Sequence, residues 1–425
     1  MFLSHLVSLS ANGWAKRLPE RRISAIQAHR YSNEQPARCL AVRTLRQAVA
    51  ISLTMLVVLV TGTLTLNAQE QTAPRVLRAS PVLAPPKTAA PASDSSALAQ
   101  RLQTAGSAHV EKRVLALYYP WYQTLQYSHK WAHQDGVEMA NKRMVSHTHF
   151  PSQGPYDSQD PALIDRHISQ AEEAGIDTLV CSWWGPRDPT DHALRLLLMR
   201  AAKTKIKICV LWERLSAQSM PQTPETDLTY LVDTFGKQPA YLKVEGKAVI
   251  FALEPVCRSL RPEAWAELLN RFNKRSGQGV ALMGSGREAS DLLVWDGLYT
   301  LGLVATLGGR LAEQAAAEQG QESAARILLG RRLNRITVVG LSPGYDDRKP
   351  NATQGIAGRT LVERQEGRLY SALWRQAMAD NPDWILINSF NQWHAGSEIE
   401  PSVELGDTYL KLTRQYVMQF KKGKD

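Results

Sequence analysis

Between Asn391 and Glu400 the chain reads N-Q-W-H-A-G-S-E-I-E, so two amides, an indole, an imidazole and two carboxylates fall within ten consecutive positions. Amides and imidazoles make directional hydrogen bonds, an indole face packs against C–H groups, and carboxylates move protons. That mixture suits a sugar, which presents hydroxyls around apolar C–H faces. A capped surface loop has a similar composition, so the choice rests on what the rest of the chain supplies.

Other groups of this kind follow short apolar runs. Y-Y-P-W-Y brings Tyr119 and Trp121, and H-K-W-A-H then brings Trp131. S-W-W-G-P carries Trp183 and Trp184, and L-W-E-R carries Trp212 and Glu213. D-G-L-Y-T holds Tyr299, while S-P-G-Y-D-D holds Tyr345, Asp346 and Asp347. With Asn391, Gln392, Trp393 and His394 these form the candidate sugar-binding set. Glu213 stands directly after a buried run, where a carboxylate is costly unless paired or working. Asp346 and Asp347 follow Pro-Gly, and a plain turn explains them equally well.

The elements that must position these groups alternate in type. Candidate strands are Val114 to Tyr119, Asp177 to Ser182, Ile206 to Leu211, Ala248 to Leu253, Gly279 to Met283, Asp296 to Leu301, Ile336 to Leu341 and Ile385 to Phe390. Each is a short, mostly unalternated apolar run of the sort that is buried on both faces. Helical periodicity covers Pro161 to Ala174, His192 to Lys203, Asp227 to Phe235, Pro262 to Asn273, Gln319 to Leu333, Thr360 to Ala379 and Gly406 to Phe420. Eight such strands separated by helices predict a (β/α)8 TIM barrel over 111–425. The alternative is a doubly wound open sheet, but nothing like G-x-G-x-x-G follows the first strand. In a TIM barrel the chemistry gathers at the C-terminal strand ends, which is where the aromatic and acidic residues above fall.

Upstream the chain is different. Residues 1 to 110 hold twelve Lys/Arg against four Asp/Glu, so eight of the ten net positive charges lie there and the barrel region is close to neutral. This removes the basic patch that nucleic-acid binding requires. No charge occurs between Arg46 and Glu70. We therefore expect 1–47 to be a basic cytoplasmic tail or extended signal region, 48–68 a signal peptide or signal anchor, and 69–110 an Ala/Pro/Ser-rich linker. These expectations place the barrel in the periplasm or outside the cell, held at or released from a membrane. Cys39, Cys181, Cys209 and Cys257 lack C-x-x-C spacing and read as unpaired thiols. Metal-ligand spacing is absent, no cofactor motif is present, and no phosphate-cradling glycine loop supports a glycosyl-transferring alternative.

The motifs Y-Y-P-W-Y, G-I-D-T-L-V-C-S-W-W-G-P, Y-L-K-V-E-G-K, D-G-L-Y-T, S-P-G-Y-D-D and S-F-N-Q-W-H-A-G-S-E-I-E-P-S occur in this order between Val114 and Tyr416. Together they resemble glycoside hydrolase family 99, the endo-α-mannosidases and endo-α-mannanases. The resemblance implies a (β/α)8 barrel, a secreted or membrane-tethered setting and an α-mannoside-like substrate. It also implies a working pair of glutamates in N-E-W-H-E-G, one acting as base on the sugar 2-hydroxyl and the other as acid and base. Here Gln392 and Ala395 occupy the matching positions. An amide takes up no proton at neutral pH and a methyl group has none to give. Glu398 is then the candidate acid from a shifted position, with Glu213 as the second carboxylate. Two readings follow: a hydrolase of a mannose-containing or related polysaccharide, or a barrel that keeps the sugar cleft without hydrolysis.

Overall fold

The structure is a computed structural model and describes residues 93–106, 110–217, 223–286, 288–301, 308–348 and 360–422. The expected tail at 1–47, the charge-free segment at 48–68 and the linker as far as residue 92 lie outside the described residues. Among those described, no helix is long and apolar enough to cross a membrane.

Eight parallel strands form the core: β1 (Arg113–Tyr118), β2 (Thr178–Trp183), β3 (Lys207–Trp212), β4 (Lys247–Ala252), β5 (Val280–Ser285), β6 (Gly297–Tyr299), β7 (Ile336–Leu341) and β8 (Trp384–Ile387). Neighbours pair in the order β3-β2-β1-β8-β7-β6-β5-β4, and a β3–β4 pairing (Val210 opposite Ile250) closes the ring. This is the closed barrel expected from the sequence. Nearly every strand residue is buried on both faces, which is why the strands read as continuous rather than alternating apolar runs. At Gly297 a Cβ would stand 2.5 Å from the Ile336 carbonyl, so β6 can approach β7 this closely only without a side chain.

Helix α1 (Ser93–Thr104) precedes β1, and helices α2 (Pro161–Glu173), α3 (Pro189–Ala201), α4 (Pro224–Leu231), α5 (Pro262–Arg275), α6 (Ala312–Arg332), α7 (Arg368–Asp380) and α8 (Thr408–Lys422) surround the barrel. Asp160, Asp188 and Thr223 cap α2, α3 and α4 through side-chain oxygens, with proline next in each case. That Asp-Pro or Thr-Pro signal places the starts of α3 and α4 three residues before the positions expected from periodicity alone. The expected helix from Thr360 is also corrected. Leu361–Val362 instead pairs with Tyr345–Asp346 as a short antiparallel ladder, and α7 begins only after Gly367, whose φ of +87° suits glycine. Between β5 and β6 the described residues form a 3₁₀ turn and no α-helix.

The linker expectation needs its own correction. From Ser93 to Thr104 the chain is helix α1, packed beside α5. Its buried positions are Ala97 and Arg101, continued by Ala105 just past the helix, and only Leu98 adds a large apolar side chain packed on the core, so hydropathy does not reveal it. Arg101 is fully buried; its Nη2 meets Asp296 Oδ2 at 2.5 Å and its Nε donates to the Val294 carbonyl at 2.8 Å. The amides of Gly106 and Leu282 donate to the same carboxylate. Burial pushes the Asp296 pKa up, but Arg101 and these two N–H groups outweigh it and hold it below the usual carboxylate value.

Candidate active site

Side chains on consecutive strand residues point to opposite faces, and this alternation sorts the aromatic candidates. On β1, Tyr118 points outward, bonded through its hydroxyl to His167 of α2 at 3.0 Å, so Tyr119 turns inward at the strand end. On β2, Trp183 points outward: its Nε1 donates to Asp191 of α3 at 2.9 Å and its ring stacks on Tyr230. Ser182 and Trp184 face the other way. On β3, Trp212 points outward against Trp265 of α5, and Glu213 turns in.

Tyr119, Trp121, Trp184 and Glu213 therefore meet at the C-terminal end of the barrel. Trp121 lies with ring centroids 4.7 Å from Tyr119, 5.3 Å from Trp184 and 6.2 Å from His394. His133, from the long β1–α2 loop, stacks on Trp121 at 5.1 Å and lies 5.7 Å from His394. Trp184 carries the Arg214 guanidinium 4.4 Å from its ring. Tyr345, partly buried, lies near enough to Tyr119 to disfavour ionisation of the Tyr119 phenol, and burial with Asp347 beside it pushes its own pKa up to about 12.

Glu213 is the carboxylate held within this cluster. Ser182 Oγ donates to its Oε1 at 2.7 Å and Trp184 Nε1 to its Oε2 at 3.0 Å. Burial raises its pKa, and the two donors and Arg214 only partly offset that rise. A carboxyl group that keeps its proton to higher pH than usual is suited to acid–base work.

The loop after β8 is built from enclosed groups. Asn391 accepts from the Tyr119 amide at 2.7 Å and donates to the Tyr119 carbonyl at 3.1 Å, which clips the loop to β1. Trp393 is fully buried and donates to Tyr156 Oη at 2.9 Å. Glu400 receives Gln153, His167, Tyr156 and Trp393, so both its oxygens are occupied. Glu398 is enclosed as well: its Oε1 takes His149 Nδ1 at 2.7 Å and Arg364 Nη2 at 2.8 Å. Gly396, at φ +52°, lets the loop turn against Thr148, 3.0 Å from where a Cβ would sit. Gln392 is half-buried, and among the described residues its side-chain amide has no hydrogen-bond partner.

His394 Nδ1 lies 3.0 Å from the Ser146 carbonyl and His147 Nε2 lies 2.9 Å from the His133 carbonyl, so each of these nitrogens carries the proton. Burial, reinforced by the neighbouring imidazoles, lowers His133 to about 4 and His147 to about 3, and burial lowers His394 in the same direction.

Of the residues singled out in the sequence, the structure brings together Tyr119, Trp121, Trp184, Glu213, Tyr345 and His394, with Gln392 on the same loop as His394. Trp183 and Trp212 belong instead to the strand–helix packing for the reason of alternation given above. Tyr299 is buried, donating to the Ala252 carbonyl at 3.1 Å. Asn391 and Trp393 brace the loop from inside, and Trp131 is 44% exposed and outside the ring cluster. Sequence reasoning missed His147, His149 and Arg364. The signal for the first two was S-H-T-H-F, which brings His147 to the rings and His149 to Glu398. Cys181, Cys209 and Cys257 are free thiols, and among the described residues no group of three or more His, Cys, Asp or Glu is placed to hold a metal ion.

Comparison with known proteins agrees with this geometry. The profile of glycosyl hydrolase family 99 matches residues 109–416. A glycoprotein endo-α-1,2-mannosidase-like protein of Danio rerio is 28% identical over 362 residues, covering 72% of this chain and 78% of its own length. The glycoprotein endo-α-1,2-mannosidase of Mus musculus is 27% identical, covering 72% and 74%. Among solved structures, the family 99 endo-α-mannosidase from Bacteroides thetaiotaomicron superposes with a TM-score of 0.61 at 25% identity, covering 75% of this chain and all of that one. With a closed barrel, an aromatic cluster at its C-terminal end and a family match over most of its length, this chain belongs to glycosyl hydrolase family 99.

Proposed function

We propose that this protein hydrolyses a mannose-containing or related polysaccharide at the C-terminal end of the barrel, with Glu213 as the carboxyl group that exchanges a proton there. The observation that carries the reading is the placement of Glu213, half-buried among Tyr119, Trp121 and Trp184 with its pKa raised. Membership of a family of glycan-acting hydrolases supports it, as does the naming of the relatives as endo-α-mannosidases. Within this proposal Gln392 and Ala395 stand where the family pattern has its two glutamates, so the proton traffic must run through other groups of this chain. Gln392, with its amide unengaged, is left to bind a hydroxyl. Export across a membrane belongs to the same proposal and rests on the charge-free run at 48–68 behind its basic flank.

A second reading has its own support. Glycoside hydrolysis ordinarily uses two carboxyl groups, about 5 to 9.5 Å apart, flanking the bond. Glu398 and Glu400 are both buried, Glu400 with both oxygens bonded and Glu398 with its Oε1 held by His149 and Arg364, which favours a barrel that binds glycan without cleaving it. Incubating the full chain with α-mannans and bacterial surface polysaccharides and measuring new reducing ends separates the two. Turnover abolished by Glu213→Gln supports hydrolysis, and saturable binding with no reducing ends supports the binding reading.

A further inference from the structure

Glu398 does not itself reach open space: its side chain is 1% exposed, and its Oε1 is shared between His149 Nδ1 and Arg364 Nη2. Arg364 is fixed in turn. Its Nη2 also donates to the carbonyls of Gly396 at 3.0 Å and Glu398 at 2.8 Å, and its guanidinium lies 4.4 Å from the Tyr409 ring. The 2.7 Å contact between His149 Nδ1 and Glu398 Oε1 sets the orientation of the ring.

The far edge of that ring is different. His149 is 17% exposed, and while Nδ1 is held by Glu398, Nε2 has no hydrogen-bond partner among the described residues. The backbone beside it is tied to the mouth loop: the Thr148 amide donates to the Trp393 carbonyl, and Thr148 Oγ1 donates to the Asp346 carbonyl. Thr148 packs on Gly396, next to Ala395. On the other side the Phe150 amide donates to Glu404. A carboxylate that orients an imidazole through Nδ1 and leaves Nε2 free is an arrangement that moves protons.

We propose that His149 is the proton donor to the departing sugar oxygen and that Glu398 is its positioning residue. The proposal rests on the hydrolytic reading above and adds the second proton-transfer group which that reading needs. As the bond between the anomeric carbon and the glycosidic oxygen breaks, its electron pair stays on the oxygen, which takes the Nε2 proton of the imidazolium. Water adds to the anomeric carbon and gives its proton to the Glu213 carboxylate. Glu213 and the Glu398 loop follow β3 and β8, three positions apart around the barrel mouth.

The test compares two leaving groups in the full-length protein. An α-mannan needs its departing oxygen protonated, whereas a mannobiosyl α-fluoride releases fluoride without an acid. His149→Asn keeps an N–H donor for Glu398 but deletes Nε2. We expect it to lose about 100-fold or more in kcat on the mannan, to stay within about fivefold on the fluoride, and to leave KM little changed. Glu398→Gln shows the same split with a smaller loss, about tenfold. Side-chain ¹⁵N spectra of His149 in this variant then show a smaller share of the doubly protonated ring, the form that gives up the Nε2 proton, than the wild type shows at the same pH. If the wild type cleaves mannan and His149→Asn stays within about threefold of it, or loses both substrates equally, the donor assignment is overturned while the hydrolytic reading stands. His149→Gln with an unchanged melting temperature repeats the comparison should the Asn variant fold poorly. A wild type that binds mannan and cleaves neither substrate ends the hydrolytic reading and this assignment with it.

Discussion

Trp184 Nε1 donates to Glu213 Oε2 at 3.0 Å, while the same indole contacts the Trp121 ring at a centroid distance of 5.3 Å. One side chain therefore belongs both to the aromatic wall and to the hydrogen-bond shell of the carboxyl group. β2 ends in two tryptophans with opposite duties: Trp183 locks the strand to α3, and Trp184 addresses the cleft.

Trp184→Phe keeps a ring in that wall and removes the donor. The bond from Trp184 favours the charged form of Glu213, so its loss raises the carboxyl pKa further above the ordinary value. We predict that the acid limb of kcat/KM on an α-mannan moves to higher pH in this variant, while KM changes little. A profile that superposes on the wild type would show that Glu213 does not govern that limb.

The buried histidines predict a pH-dependent stability. His147 is lowered to about 3 and His133 to about 4, so the unfolded chain takes up protons below its ordinary imidazole pKa while the folded chain does not. Their stabilising contribution is complete above pH ~6.5 and is lost as pH falls toward 4 and 3, at about 1–2 kcal/mol for each ring between pH 6.5 and 5. Glu213, whose pKa is raised, contributes in the opposite sense, so the variant isolates the effect. His147→Gln keeps an N–H for the His133 carbonyl and should flatten the fall in melting temperature between pH 6.5 and 5. An unchanged slope would contradict the assignment.

Helix α1 is predicted to be part of the folding unit. Arg101→Met leaves Asp296 buried among two amides without its cation, a change that ordinarily costs about 3–5 kcal/mol. Urea unfolding should show that loss, with glycan affinity of the folded protein unchanged. A loss under about 1 kcal/mol would mean that the helix is not docked as described.

The barrel was legible because burial on both faces writes a strand as a mostly apolar run without alternation, as in Ile336–Leu341 and in Lys207–Trp212 after its first residue. The cleft was legible as a region but not as a residue list. Composition gives the same weight to Trp183 and Trp184, and only the inward or outward phase of β2, set by Asp191 on one side and Glu213 on the other, separates them. Glu398 shows the same limit. Its sequence position next to the aromatic loop suggests an acid, but its partners Arg364 and His149 lie 34 and 249 residues away, at separations that no local pattern records. Helix α1 escaped because its buried positions hold an alanine and an arginine.

The central claim is that Glu213 works as a proton-exchanging carboxyl group on a glycan in the barrel mouth. The most direct measurement is the release of reducing ends from α-mannans and bacterial surface polysaccharides by the wild type and by Glu213→Gln, alongside binding of the same glycans to both. The account predicts wild-type turnover that falls by about 100-fold or more in Glu213→Gln, with binding retained. Wild-type binding without reducing ends, or a Glu213→Gln variant as active as the wild type, would contradict it.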